Sequence, residues 1–201
     1  MTKIFLATGN QGKIKEMKEL LSNLDIEIVT SDQFEDVPEV IEDGDTLADN
    51  AIKKAKELAE YTGLIAIADD TGLIVDALDG KPGVYSARYA GENATDEENN
   101  KKLLHELADL SLEERTARFK TVVALANPGQ EEESIAFKTI QGVCEGQIGY
   151  KPLGENGFGY DPLFIPKGYD RTFAQLNSEV KNQISHRAKA LIKMKKYLKR
   201  L

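Results

Sequence analysis

The sequence predicts an α/β fold, with helices flanking a mixed central sheet, and three observations lead there. A short apolar run, Ile4 to Ala7, passes through glycines at 9 and 12 into apolar residues at helical spacing, a strand–loop–helix unit. Helical and extended patterns alternate over the early part of the chain, and extended patterns cluster later. The length, 201 residues, suits one ordinary domain, or one with two lobes, and buries a core without covalent staples.

Taken in order, Lys3 to Thr8 reads as a short buried strand and Gly9 to Gly12 as a tight loop. From Lys13 the positions Ile14, Met17, Leu20 and Leu21 follow helical spacing. A second helix runs from Thr46 to Tyr61, with Leu47, Ala51, Ala55, Leu58 and Ala59 on one side and Gly63 ending it. Leu64 to Ala68 is a further buried run, which the turn-forming residues Asp69-Asp70-Thr71-Gly72 are expected to stop before Leu73 to Leu78 continues extended. Asp79 to Gly91, rich in Gly, Pro and Tyr, reads as a long loop. Thr95 suits the cap of a helix through Leu103, Leu104, Leu107 and Leu110, with Asp96, Glu97 and Glu98 at its positive end. Strands follow at Ala117 to Ala126, Ser134 to Cys144 and Leu163 to Ile165. Ser185 suits the cap of a final helix whose apolar side is Ala188, Leu191, Ile192, Leu198 and Leu201.

Composition narrows the class. Hydrophobic residues make up 41% and charged residues 30%, the balance of an ordinary globular protein. Cys144 is the only cysteine, so no internal disulfide forms, and with His105 and His186 it leaves too few soft ligands for a four-ligand zinc site. Both facts suit a reducing cytosol. Four apolar residues, Ile4 to Ala7, fall short of the roughly 7–15 of a secretory signal or the ~20 of a membrane span. Twenty-six basic and 34 acidic residues give a net charge of −8, which argues against nucleic acid as the main partner. The basic residues gathered near the end, from Lys189 to Arg200, read as a solvated helix face.

Four segments carry chemistry. Thr8-Gly9-Asn10-Gln11-Gly12-Lys13 lies between a strand and a helix start, where free backbone N–H groups and the helix dipole attract an anion and Lys13 adds a point charge. It is no Walker A loop: two residues separate its glycines, and Ile14 stands where the metal-binding hydroxyl is needed. A strand-to-helix turn that needs glycine for its backbone alone explains the segment equally well. Asp69 and Asp70 close a buried run, where a carboxylate needs a cation, a metal or solvent. Neighbours in an extended chain point to opposite faces, so one of the pair faces substrate and the other braces. Glu42, ahead of the second helix, is a further carboxylate for a magnesium site, or part of a solvated acidic loop.

The third segment runs from Gly154 to Pro162. Its three glycines flank Phe158 and Tyr160, so that Phe158 can stack on a flat base and Asp161 can accept from a ring N–H; an aromatic-plugged loop is the plainer alternative. In the fourth, Lys181, His186 and Arg187 bring cationic or donor groups to a helix start, a placement that opposes the dipole unless an anion or carbonyl oxygen sits there.

In this order these segments, with Pro82-Gly83-Val84-Tyr85-Ser86-Ala87-Arg88-Tyr89, resemble the inosine triphosphate pyrophosphatase family, also called XTP/dITP diphosphatases. The resemblance spans residue 4 to about residue 190. It implies an elongated mixed sheet, two lobes with an active-site cleft between them, and a homodimer. It implies that Thr8 to Lys13 and Lys181 hold a triphosphate, that Asp70 is the catalytic carboxylate, and that Glu42 and Asp70 bind Mg²⁺. Thr71, Phe158, Gly159, Tyr160, Asp161, His186 and Arg187 would contact the rest of the nucleotide. Thr71 stands where many members have Ser, and Asp49 and Gln175 where Glu is common, departures that touch supporting contacts more than the reaction.

The expected activity is hydrolysis of non-standard purine nucleoside triphosphates (XTP, ITP, dITP) to the monophosphate and pyrophosphate, with direct attack by water, since no Ser or Cys nucleophile has a matching His. The 6-oxo group would be read by Arg187, His186 or a backbone N–H, which adenine's amine cannot satisfy. A pyrophosphatase of another base preference, a non-catalytic nucleotide sensor and a nucleotide kinase are the alternatives; the acid pair speaks against the second and the failed Walker spacing against the third.

Overall fold

The computed structural model describes residues 1–128 and 136–200. Six strands, β1 (Thr2–Leu6), β2 (Ile26–Val29), β3 (Ile65–Val75), β4 (Thr116–Asn127), β5 (Ala136–Ile148) and β6 (Phe164–Pro166), form one sheet in the order β2-β1-β3-β4-β5-β6. β1 pairs parallel with β2 and β3, whereas β5 and β6 are antiparallel, so the sheet is mixed. Its helices are α1 (Gln11–Leu21), α2 (Leu47–Thr62), α3 (Asp96–Glu106), α4 (Ser178–Ile184) and α5 (His186–Leu198). None of the described helices is long and apolar enough to cross a membrane.

The chain divides into two compact units. The first comprises residues 1–70, 121–142 and 187–201, the second residues 71–120 and 143–186. In the first, the β1 loop leads into α1 and back to β2, a parallel crossover. Its core gathers Ile4, Leu6, Met17, Leu21, Ile67, Val123, Leu191 and Met194 from strands and helices alike. α2 buries Ala51, Ala55 and Ala59 without trace of exposure; small side chains at that spacing let a helix approach closely.

The second unit packs Leu73, Val75, Leu103, Phe119, Ile148, Leu163, Phe164 and Phe173 together. Thr95 and Glu98 cap α3 reciprocally, and Arg115, buried, donates to the carbonyls of Leu107, Leu110 and Gly149 where that helix runs out. The Leu107 and Leu110 carbonyls follow the helix end and the Gly149 carbonyl follows β5; a buried guanidinium needs acceptors, so each satisfies the other.

Several expectations shift. α1 begins at Gln11 with Asn10 as its cap, two residues before the predicted start, because the Asn10 side chain accepts from the Lys13 amide. The turn expected at residues 69–72 is absent: β3 runs unbroken from Ile65 to Val75, and ladder pairing overrides local turn chemistry. Ile192, expected on the apolar side of the last helix, is 50% exposed. Leu107 and Leu110 follow α3 rather than lying within it, and Gly83–Arg88 forms a 3₁₀ turn inside the expected loop. β2 and α4 were not anticipated, being four and seven residues long. The predicted Ser134 start of β5 and the place of Leu201 lie outside the described residues.

Candidate active site

In the first unit the site grows from three elements. α1 starts immediately after the Thr8–Asn10 loop, so its leading N–H groups face outward beside half-buried Thr8 and exposed Gly9 and Asn10. The Thr8 hydroxyl accepts from the Asn10 amide and shapes the turn. Lys13, one turn in, reaches back across the sheet end, with Nζ 3.4 Å from Asp69 Oδ1 and 3.4 Å from the Asp69 carbonyl.

β3 supplies the acid pair. Asp69 is 0% exposed and Asp70 7%. As consecutive strand residues they face opposite ways and meet different partners. Asp69 Oδ2 accepts from Arg187 Nη2 at 2.9 Å and Nε at 3.2 Å, while Arg187 Nη1 lies 2.5 Å from Glu16 Oε2. Asp70 Oδ2 accepts from Asn50 Nδ2 at 3.2 Å, and its Oδ1 lies 3.8 Å from Lys54 Nζ. Thr121 on β4 donates to the Asp70 carbonyl at 3.0 Å and so ties the pair to the ladder.

α2 supplies Asn50 and Lys54, one turn apart on its buried face. Lys54 Nζ donates to Glu42 Oε1 at 2.8 Å and to the Asp69 carbonyl at 3.0 Å. Asn50 Oδ1 accepts from the Gly44 amide at 2.8 Å, which pins the loop bearing Glu42 to the helix. Glu42, Lys54, Asp70 and Lys13 therefore converge in one place.

The two aspartates are driven apart electrostatically. Burial works to raise the Asp69 pKa, but Lys13, then Arg187 and Lys54, overcome it and hold that carboxyl far below the usual range. Burial also raises Asp70, with Glu42 adding to it; Lys54, Lys13 and the Asn50 hydrogen bond oppose them without reversing the result. Lys13 is lowered, first by burial and with Asp69 opposing. The environment favours the ionised form of one acid and raises the proton affinity of its neighbour. Among the described residues no group of three or more His, Cys, Asp or Glu side chains is gathered for a metal; Glu42 and Asp70 are a pair.

The second unit brings together its own set: Thr71 in β3, the Phe158–Asp161 turn, Lys181 of α4 and His186. Asp161 Oδ2 accepts from the Phe158 amide at 3.0 Å and from Lys181 Nζ at 2.5 Å. The same ammonium lies 5.1 Å from the Phe158 ring centroid and 5.5 Å from that of Phe173. Gly157 permits this closure: a Cβ there would meet Asp161 Oδ2 at 2.0 Å, and its φ of +79° is one that side chains disfavour. Tyr160 donates to the Ser86 carbonyl at 2.8 Å, and burial, with Tyr89 and nearby acids, pushes its hydroxyl pKa up. The His186 ring stacks on Phe119, with centroids 4.6 Å apart.

Of the sequence-predicted residues, Thr8 to Lys13, Glu42, Asp70 and Arg187 fall in the first set, and Thr71, Phe158 to Asp161, Lys181 and His186 in the second. Lys54, Asn50, Thr121 and Glu16 were missed. The first two had a signal, since polar residues at 50 and 54 interrupt the apolar face of α2 one turn apart; Thr121 and Glu16 had none.

An α/β protein with an anion loop beside a split acid pair and two inward lysines is the class that fold and site define. The Ham1 family profile matches residues 4–197. A dITP/XTP pyrophosphatase of Elusimicrobium minutum is 53% identical over 201 residues, covering 98% of this chain and all of that one, and that of Geobacter sulfurreducens is 50% identical over 198 residues, covering 98% and 97%. A solved Ham1 protein from Coxiella burnetii superposes with a TM-score of 0.86 at 45% identity over the whole of both chains, and one from Staphylococcus aureus with 0.83 at 41% over 98% of each. The chain belongs to the Ham1 family, in line with the resemblance its motifs carried.

Proposed function

We propose that this chain hydrolyses non-standard purine nucleoside triphosphates, XTP, ITP and dITP among them, to the monophosphate and pyrophosphate, and so clears them from the cytoplasmic pool before they enter DNA or RNA. The observation that carries the reading is the opposite tuning of adjacent Asp69 and Asp70 beside Lys13 and Lys54. The names of relatives about 50% identical over the full chain support the substrate class.

In this reading the α1 amides, Thr8 and Lys13 take phosphate oxygens, and Asp69 serves as the brace that fixes Lys13 and Arg187. Asp70 accepts the proton of a water whose oxygen bonds to the α-phosphorus. The α–β bridging P–O bond breaks and pyrophosphate departs with its electron pair. Burial, with Glu42 nearby, raises the proton affinity of Asp70 above that of a free aspartate, which suits it to take a proton in this step.

Glu42 and Asp70 fit a magnesium ion. Both offer hard oxygens, they are close enough to repel, and Lys54 already sits as a cation against both. Bound there, Mg²⁺ would neutralise phosphate charge and lower the pKa of water. Phe158 would stack on the base, and Gly159, Tyr160, Asp161, His186, Arg187 and Thr71 would surround the nucleoside, with Lys181 holding Asp161 in place. The family resemblance supports a homodimer, which sedimentation would test. Pyrophosphate release measured with Mg²⁺ across XTP, ITP, dITP, GTP and ATP tests the whole: equal rates on all five would sink the substrate assignment, and release that persists in Asp70→Asn would sink the mechanism.

A further inference from the structure

The first two turns of α3 hold Gly159 at both its amide and its carbonyl, and so fix the two peptide groups that flank it. Asp96 Oδ2 accepts from the Gly159 amide at 2.7 Å, and Asn100 Nδ2 donates to the Gly159 carbonyl at 3.0 Å. The two residues stand four apart, on one face of the helix. Gly159 sits at φ +60°, between Phe158 and Tyr160; its amide closes the peptide that follows Phe158 and its carbonyl opens the peptide that leads to Tyr160.

Asn100 is 7% exposed, and its Oδ1 has no hydrogen-bond partner among the described residues. A buried acceptor without a partner works against stability, and a leucine would fill the same space without that cost. Its neighbour behaves differently: Asn99 Oδ1 accepts from the Ala90 amide at 2.7 Å, and its Nδ2 donates to the Ala87 carbonyl at 2.9 Å. Asn99 is an ordinary structural asparagine with both ends bonded. Asn100 is bonded only where it meets Gly159, so stability does not account for it.

We propose that Asp96 and Asn100 are positioning residues that set the attitude of the Phe158 ring for purine binding, acting through the two peptide groups that flank Gly159. This rests on the reading that the Phe158 turn carries the base. Neither residue touches the phosphates, so their effect is confined to substrates that bear a base.

The test measures kcat and KM for ITP, inhibition by inorganic tripolyphosphate, and Tm, in Asn100→Leu, Asp96→Ala, Asp96→Asn, Asn99→Leu and Phe158→Ala. Asn100→Leu is expected to keep or raise Tm and to raise KM about fivefold, the worth of one hydrogen bond, with kcat changed by less than about twofold and tripolyphosphate inhibition unmoved. Asp96→Ala should do the same and Asp96→Asn, which keeps an acceptor, should restore KM. Asn99→Leu should lower Tm instead. Unchanged KM in Asn100→Leu with raised KM in Phe158→Ala overturns the clamp and spares the base platform. Unchanged KM in Phe158→Ala overturns the platform and the clamp with it. A fall in Tm with weaker tripolyphosphate inhibition in Asn100→Leu makes the residue structural and overturns the proposal.

Discussion

Two buried lysines, one in each unit, are held in opposite ways. Lys181 sets its ammonium 2.5 Å from the Asp161 carboxylate and rests between two aromatic rings. Lys54 divides its charge among Glu42 at 2.8 Å, Asp70 at 3.8 Å and the Asp69 carbonyl at 3.0 Å. A tight, buried pair packed against aromatic rings is scaffold. A shared cation with one long contact lies in a field that can be rearranged, which is where an incoming phosphate or metal ion exchanges partners at small cost. The acid pair shows the same contrast within one strand, since Asp69 is tied by Arg187 and Lys13 while Asp70 is held by an amide and a distant ammonium.

The sharpest break of that comparison comes from the acids. Asp70→Asn is expected to lower pyrophosphate release by ~10²–10⁴-fold, the range for loss of a general base, with circular dichroism and Tm near those of the parent. Asp69→Asn should act on stability instead: it leaves Arg187 and Lys13 facing a neutral amide, and breaking a buried pair costs about 3–5 kcal/mol, to be read by chemical denaturation. If the two substitutions gave the same profile, the division into base and brace would fall.

The lysines come next. Lys181→Met strands Asp161 in the core, with an expected loss of about 3 kcal/mol, whereas Lys54→Met should cost less stability and more activity, because Glu42 is partly open to water. Denaturation midpoints compared with kcat/KM for both variants decide it; a larger stability loss in Lys54→Met would invert the assignment of scaffold and site.

Acid titration separates the same roles more gently. Asp70 has a raised pKa, so it protonates first as pH falls, and kcat/KM should drop while it does. Asp69 has a lowered pKa, so the stability it contributes is present above the ordinary carboxylate pKa of ~4 and is lost only as pH falls through its depressed value. As pH falls, activity is therefore expected to be lost before the fold is, and to be regained on return to neutrality. Loss of activity only together with loss of ellipticity would contradict it. Smallest of all, Thr95→Ala removes the capping box of α3 and should cost about 1 kcal/mol with no change in turnover.

Much of this was legible in the chain, and the reasons are physical. Strand, loop and helix at the start follow from spacing alone, and the cap of α3 from Thr95. The acid pair could be placed on a buried run, but not given roles, because side chains alternate in a strand and nothing in Asp69-Asp70 says which face carries Arg187, 118 positions away. The turn expected at those residues failed for a related reason: four turn-forming types in a row argue locally, whereas the ladder they sit in is built from β1 and β4. Asn50 and Lys54 were visible only as interruptions in an apolar face, and Asn100 not at all.

The uninterrupted course of β3 has a consequence for how this enzyme can be altered. A residue in mid-ladder cannot be moved by lengthening or shortening a neighbouring loop; register shifts by whole residues and would turn Asp70 to the other face. Insertions, deletions and shuffled segments should therefore be tolerated around residues 36–40, where the backbone is irregular, and rejected around 65–75. Anyone seeking a variant with a different appetite for bases has a fixed anvil and a replaceable grip.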